Sequence, residues 1–81
     1  MVVSVQFFGI QRTLTKTSEV EVPLNGQDRV GDVFSYIRNC YPELKWCEED
    51  LLVTVNNRIS NMEEGLNPDD TLAFLPHIGG G

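Results

Sequence analysis

Apolar and polar residues alternate from the start of the chain: Val3, Val5 and Phe7 interleave with Ser4, Gln6 and Phe8. A period of two predicts a strand with one inward face and a second face that is partly apolar. A polar, Thr-rich stretch from Gln11 to Ser18 reads as a connection, after which Glu19-Val20-Glu21-Val22-Pro23-Leu24 alternates again and stops at Asn25-Gly26, a turn signal. The two segments pair most simply as a hairpin. Pro23 has no N–H for a ladder, so the second strand belongs at a sheet edge or ends there.

From Val30 the spacing changes. Val30, Val33, Phe34, Ile37 and Tyr41 fall at helical intervals, with Asp32, Ser35, Arg38 and Asn39 off the stripe, which predicts one amphipathic helix. Asp28 is the expected cap or first-turn anion, and Pro42 ends the helix near Cys40 or Tyr41. The stretch from Glu43 to Asp50 reads as a loop anchored by Trp46. Leu51-Leu52-Val53-Thr54-Val55 is a third strand, turned by Asn56-Asn57 into a brief fourth within Arg58 to Met62. Asn67-Pro68-Asp69-Asp70 predicts a type I turn into a last strand, Thr71 to Leu75. The order ββαβ(β)β makes an α+β fold, a mixed sheet of four to five strands with one helix on one face.

Size limits what such a chain can do. Its 81 residues, 41% of them apolar, suffice for one small domain, 1–75, followed by a tail, 76–81, with no room for a deep cleft. No apolar run reaches the length of a membrane span. The segment Met1 to Gln6 lacks the features of a secretory signal, so a cytoplasmic location is expected. The formal charge of −6 opposes a nucleic-acid backbone. The clusters Glu48-Glu49-Asp50, Glu63-Glu64 and Asp69-Asp70 either steer the protein to basic partners or are solvated loops.

Catalytic constellations are nearly missing from the sequence. His77 is the one histidine, the glycines gather in the tail rather than in a phosphate-cradling loop, and Cys40 and Cys47, with six residues between them, lack the spacing of a zinc site. No metal is assigned, no cofactor is expected to be bound, and Asp69-Asp70 is accounted for by turn chemistry. What remains is the tail, Pro76-His77-Ile78-Gly79-Gly80-Gly81. A glycine carboxylate suits insertion into another protein's narrow active site because no Cβ obstructs it. Six residues from Pro76 to Gly81 reach roughly 20 Å when extended. Gly81 is therefore the candidate reactive residue, with Pro76, His77, Ile78, Gly79 and Gly80 as the inserting segment. The bland alternative is a small, soluble terminus. Phe8, Ile10 and Phe74 exceed what one helix-covered face buries and are assigned to partner binding, unless the loop around Trp46 covers them.

The pattern Val-x-Phe-Phe-Gly-x-x-Arg near the start, Val55-Asn56, Asn67-Pro68-Asp69-Asp70, and Leu75-Pro76-x-Ile78-Gly79-Gly80-Gly81 resembles the ubiquitin-like β-grasp sulfur carriers, among them the small subunit of molybdopterin synthase. The resemblance spans essentially the whole chain. It implies that a ubiquitin-activating-type adenylyltransferase uses ATP to adenylate the carboxylate of Gly81. A sulfur donor protein then displaces AMP, leaving a thiocarboxylate. It further implies that the tail enters the large catalytic subunit of molybdopterin synthase and gives its sulfur to a pyranopterin precursor. The small chain is then not an enzyme on its own and needs neither nucleic acid nor membrane. His77 stands where the family commonly has a second proline, and Thr13 where an acidic residue follows the early arginine. Relatives serving thiamin, cysteine or tRNA thiolation share the fold, and a non-catalytic ubiquitin-like interaction module is the alternative from another class.

Overall fold

The computed structural model describes residues 1–26 and 28–76. Its elements are strand β1 (Val2–Gln6), helix α1 (Ile10–Thr15), strand β2 (Glu19–Pro23), helix α2 (Val30–Cys40), and strands β3 (Leu51–Val55), β4 (Arg58–Ile59) and β5 (Thr71–Pro76). Short 3₁₀ turns, Pro42–Leu44 and Glu48–Asp50, lie in the loop before β3. The strands form one five-stranded sheet in the order β2-β1-β5-β3-β4. The two central strands, β1 and β5, run parallel, and all other pairs are antiparallel. With α2 on one face, this is the expected α+β β-grasp architecture.

The stripe on α2 explains why the helix docks as it does. Val30, Val33, Phe34 and Ile37 are buried, each worth about 1.5–3 kcal/mol of apolar burial. They meet Val3, Val5, Val22, Val53, Val55, Leu72 and Phe74 from the sheet. Trp46 closes the end of this core as expected, with its ring centroid 5.0 Å from that of Phe74 and stacked 5.8 Å from Phe34.

The helix start differs from the expectation at Asp28. Arg29 is the cap residue, and Asp32 Oδ2 accepts its N–H at 2.8 Å, so the first-turn anion is Asp32, the third residue of the helix. Asp28 Oδ2 instead accepts the Asn25 N–H at 2.7 Å. The hairpin of β1 and β2 is present, with Pro23 in an edge strand.

The connection between those strands is not all loop. Gly9 at φ 56°, ψ −129° turns the chain into α1, a conformation that β-carbons oppose. The short helix then forms because Gln11 and Thr15, four residues apart, both turn inward. The Asn67–Asp70 turn closes with Asp70 N–H donating to Asn67 O at 3.2 Å. Asp69 at its third position has φ 69°, which is type II geometry rather than the expected type I. The fourth strand shortens to Arg58–Ile59. The last extends one residue past Leu75 to take in Pro76 opposite Leu51.

Candidate functional site

Strand β5 matters most to any use of the tail, because it lies at the centre of the sheet and delivers the chain to residue 77. Its side chains alternate across the sheet. Leu72 and Phe74 are fully buried beneath α2, while Thr71, Ala73 and Leu75 occupy the face that no helix covers. The assignment of Phe74 to partner binding is therefore corrected. It is 0% exposed and packs on Phe34 and Trp46. The next residue, Leu75, is the half-exposed one.

The pairing register shows which residues join Leu75. Leu52 lies opposite it on β3, Thr54 opposite Ala73, and Ile59 of β4 opposite Thr54. Partners opposite one another in a ladder point to the same face, so Leu52, Ala73, Leu75 and Ile59 share the open face. Ile59 is 70% exposed and Phe8 is 48% exposed. Phe8 lines a shallow depression of about 170 Å³ together with Ala73 and Leu75. Gln6, Thr54, Asn57 and Thr71 complete the lining of that depression, so polar side chains lie among the apolar ones.

Ile10, 68% exposed, belongs to a neighbouring feature. It lines an apolar groove of about 370 Å³ between α1 and the loop before β3, along with Leu14, Leu44, Trp46 and Pro76. Phe8 borders both the groove and the open-face depression. The last described residue, Pro76, thus leaves the body between two apolar surfaces. Of the predicted site, the structure brings Phe8, Ile10 and Pro76 together and removes Phe74. His77, Ile78, Gly79, Gly80 and Gly81 lie outside the described residues.

The β2 edge of the sheet is blunted against pairing. In β2 the register directs the backbone groups of Ser18, Val20, Val22 and Leu24 toward β1, leaving those of Glu19, Glu21 and Pro23 outward. Pro23 has no donor. The Glu19 N–H is turned to Thr17 Oγ1 at 3.4 Å, and its carbonyl accepts the Thr17 hydroxyl at 3.0 Å. Such a blunted edge resists strand addition.

Beside Ile59, the Arg58 guanidinium pairs with Glu64 at 2.9 Å, and the Ser60 hydroxyl donates to the same carboxylate. The Ser60 hydroxyl and, after it, Arg58 hold the Glu64 carboxyl below its ordinary value. Glu64 raises Arg58 through hydrogen bonding and charge. These contacts tie β4 to the loop that follows it. Among the described residues no group of three or more His, Cys, Asp or Glu is placed to hold a metal ion. Cys40 and Cys47 are unpaired and exposed. No described helix is long and apolar enough to cross a membrane.

Sequence reasoning missed Leu52, Ile59 and Leu75 on the open face. The signal was present in β5 itself: since Leu72 is core, strict alternation sends Phe74 inward and Leu75 outward.

Comparisons with known proteins agree with this fold. The model of the ThiS family matches residues 5–81. The molybdopterin synthase sulfur carrier subunit of Mycobacterium tuberculosis (strain ATCC 25618 / H37Rv) is 34% identical over 82 residues, covering 98% of this chain and 96% of that protein. Among solved structures, the putative molybdopterin converting factor, subunit 1, from Pyrococcus furiosus superposes with a TM-score of 0.84 at 26% identity, over 96% of this chain and 99% of that one. A chain in the complex of subunits 1 and 2 of the molybdopterin-converting factor from Helicobacter pylori shares the fold, with a TM-score of 0.69 at 21% identity and 100% of both chains covered. The match over residues 5–81 and the end-to-end identity with a curated relative establish that this chain belongs to the ThiS family.

Proposed function

We propose that this chain is a sulfur carrier that acts through the carboxylate of Gly81 and serves as the small subunit of a molybdopterin synthase. The observation that carries the reading is the 34% identity, over nearly the full length of both proteins, with a sulfur carrier subunit of that enzyme. The family match runs through Gly81, and β5 releases the chain at Pro76 beside an apolar docking face.

A carboxylate is a poor electrophile, so an adenylyltransferase must first activate it. A carboxylate oxygen of Gly81 attacks the α-phosphorus of ATP, pyrophosphate leaves, and an acyl adenylate forms. A sulfide equivalent from a donor protein adds to the acyl carbon and AMP departs, exchanging a C–O bond for a C–S bond. The thiocarboxylate sulfur then attacks an electrophilic carbon of the pyranopterin precursor within the large subunit, forming a C–S bond as a C–O bond at that carbon breaks and the departing oxygen takes up a proton. Hydrolysis of the resulting acyl–sulfur bond leaves the sulfur on the acceptor and returns the carboxylate. Two such deliveries complete a dithiolene.

The division of labour follows from the chain's size. The body supplies docking through Phe8, Leu52, Ile59 and Leu75, and the tail supplies the reacting atoms, while catalysis belongs to the partners. ATP is consumed by the activating enzyme and is not held by this chain. The test is deletion of Gly81. Loading with sulfur should cease while the thermal melt is unchanged, and unchanged loading of the deletion variant would refute the reading. Supplying the loaded carrier to large subunits of different pathways then identifies the acceptor, which we expect to be the pyranopterin enzyme.

A further inference from the structure

Strand β1 leaves the sheet before β5 ends, and the ladder is completed by a side chain. The Ser4 N–H donates to Asp70 O at 2.9 Å, and Gln6 lies opposite Ala73. Continued with parallel spacing, the next rungs would run from Gln6 to Leu72 and from Phe8 to Phe74. Gly9 turns the chain into α1 at that point, and Phe8 no longer reaches Phe74. The Gln11 side chain fills the gap. Its Oε1 accepts the Phe8 N–H at 3.1 Å, and its Nε2 donates to Phe74 O at 2.7 Å. Gln11 is buried, 5% exposed, and Thr15 holds the helix turn beneath it by donating to Gln11 O at 2.8 Å.

We infer that Gln11 is a positioning residue for the tail, acting as a side-chain rung that fixes the end of β5 and with it the point, at Pro76, from which the chain leaves the body. Phe74, the residue it holds, lies two positions before Pro76. On its other side β5 is held by β3 up to the Leu51–Pro76 pair, and among the described residues the Gln11 amide is what the β1 side offers to the Phe74 carbonyl. Without this bond the buried Phe74 carbonyl loses a partner and β5 gains freedom to swing about its β3 edge. A tail that leaves in many directions reaches a narrow partner channel less often, which lowers the rate of reaction more than it weakens docking.

This inference rests on the sulfur-carrier reading for its functional consequence, but its structural half is tested separately. In the wild-type chain, amide hydrogen exchange followed by NMR should show the Phe8 N–H protected like a strand amide although the residue is half-exposed. Exchange at the rate of an open loop would overturn the rung. Two variants test the consequence, Gln11→Met, which removes both bonds, and Gln11→Glu, which keeps the acceptor for Phe8 but loses the donor to Phe74. Both should fold. Loading of Gly81 by the adenylyltransferase, ATP and sulfur donor should show kcat about fivefold to tenfold lower in both, with KM within about twofold of wild type. A structural role alone would lower the melting temperature and leave kcat per folded molecule unchanged, which would overturn the positioning role. Failure of the wild-type chain to load with a demonstrably active enzyme would overturn the sulfur-carrier reading and the positioning role together, while Phe8 protection would still report on the rung.

Discussion

Replacing Phe74 and Leu75 in turn tests the face assignment on which the docking surface depends. Phe74 is fully buried, with ring centroids 5.5 Å from Phe34 and 5.0 Å from Trp46. Truncation to alanine should cost about 3–5 kcal/mol, combining lost transfer energy with a cavity that the neighbouring rings fill only in part. A domain of 81 residues has a total stability of about 4–12 kcal/mol, so Phe74→Ala removes a large share of it. Leu75 is half-exposed on the open face, and Leu75→Ala should cost about 1 kcal/mol or less. With a urea dependence of about 1 kcal/mol per molar for so small a chain, the midpoints should fall by about 3 M or more and by about 1 M or less. Urea titrations followed by far-UV circular dichroism measure both. Trp46 fluorescence is a second probe, although its proximity to Phe74 alters the native signal. A larger loss for Leu75→Ala than for Phe74→Ala would refute the parity of β5 and with it the proposed docking face.

Further outcomes follow from single contacts. Ile59→Asp and Leu75→Asp should weaken binding to the large subunit at least about tenfold, measured by calorimetry, with the fold retained. Gly9→Ala should destabilise by about 1–3 kcal/mol in thermal melts, because φ 56° with ψ −129° is strained for any residue with a Cβ. Asn57→Gly should stabilise by about 0.5 kcal/mol, since Asn56 and Asn57 both hold positive φ in the two-residue β3–β4 turn, a geometry that glycine prefers at the second position. Glu64 has a folded pKa below its ordinary value of 4.5. Its contribution is therefore complete above that value and is lost as pH falls through the lower folded pKa. The stability difference between wild type and Glu64→Gln should shrink on acidification, as melting curves across that range will show. A difference that grows toward low pH would contradict the assigned contacts.

Much of this was legible in the sequence because single, strong periodicities carried it. The stripe from Val30 to Ile37 could pack only as a helix face, Pro42 stopped that helix, and Leu51 to Val55 had no other use than as a strand. Less was legible where one local rule competed with another. The Thr-rich segment after Gly9 hid α1, whose burial rests on the polar residues Gln11 and Thr15 rather than on apolar ones. Asp28 was assigned to the helix start, whereas Asp32 holds that place and Asp28 bonds the Asn25 N–H instead. Phe74 was placed on the surface because the end strands carry more apolar side chains than one helix-covered face buries. Alternation from Leu72 would have sent it inward. The Gln11 rung had no sequence signature, since it depends on where β1 departs from β5 in space.

The central claim is that Gly81 carries sulfur, and tandem mass spectrometry of the C-terminal peptide tests it most directly. The full chain is incubated with its adenylyltransferase, ATP and a sulfur donor, and fragmentation locates any exchange of one terminal oxygen for sulfur. Methionine oxidation gives a nearly equal mass gain, so the shift must be assigned to Gly81 itself. The account predicts sulfur on Gly81 that disappears when ATP is withheld; an unmodified Gly81 beside a demonstrably active enzyme would contradict it.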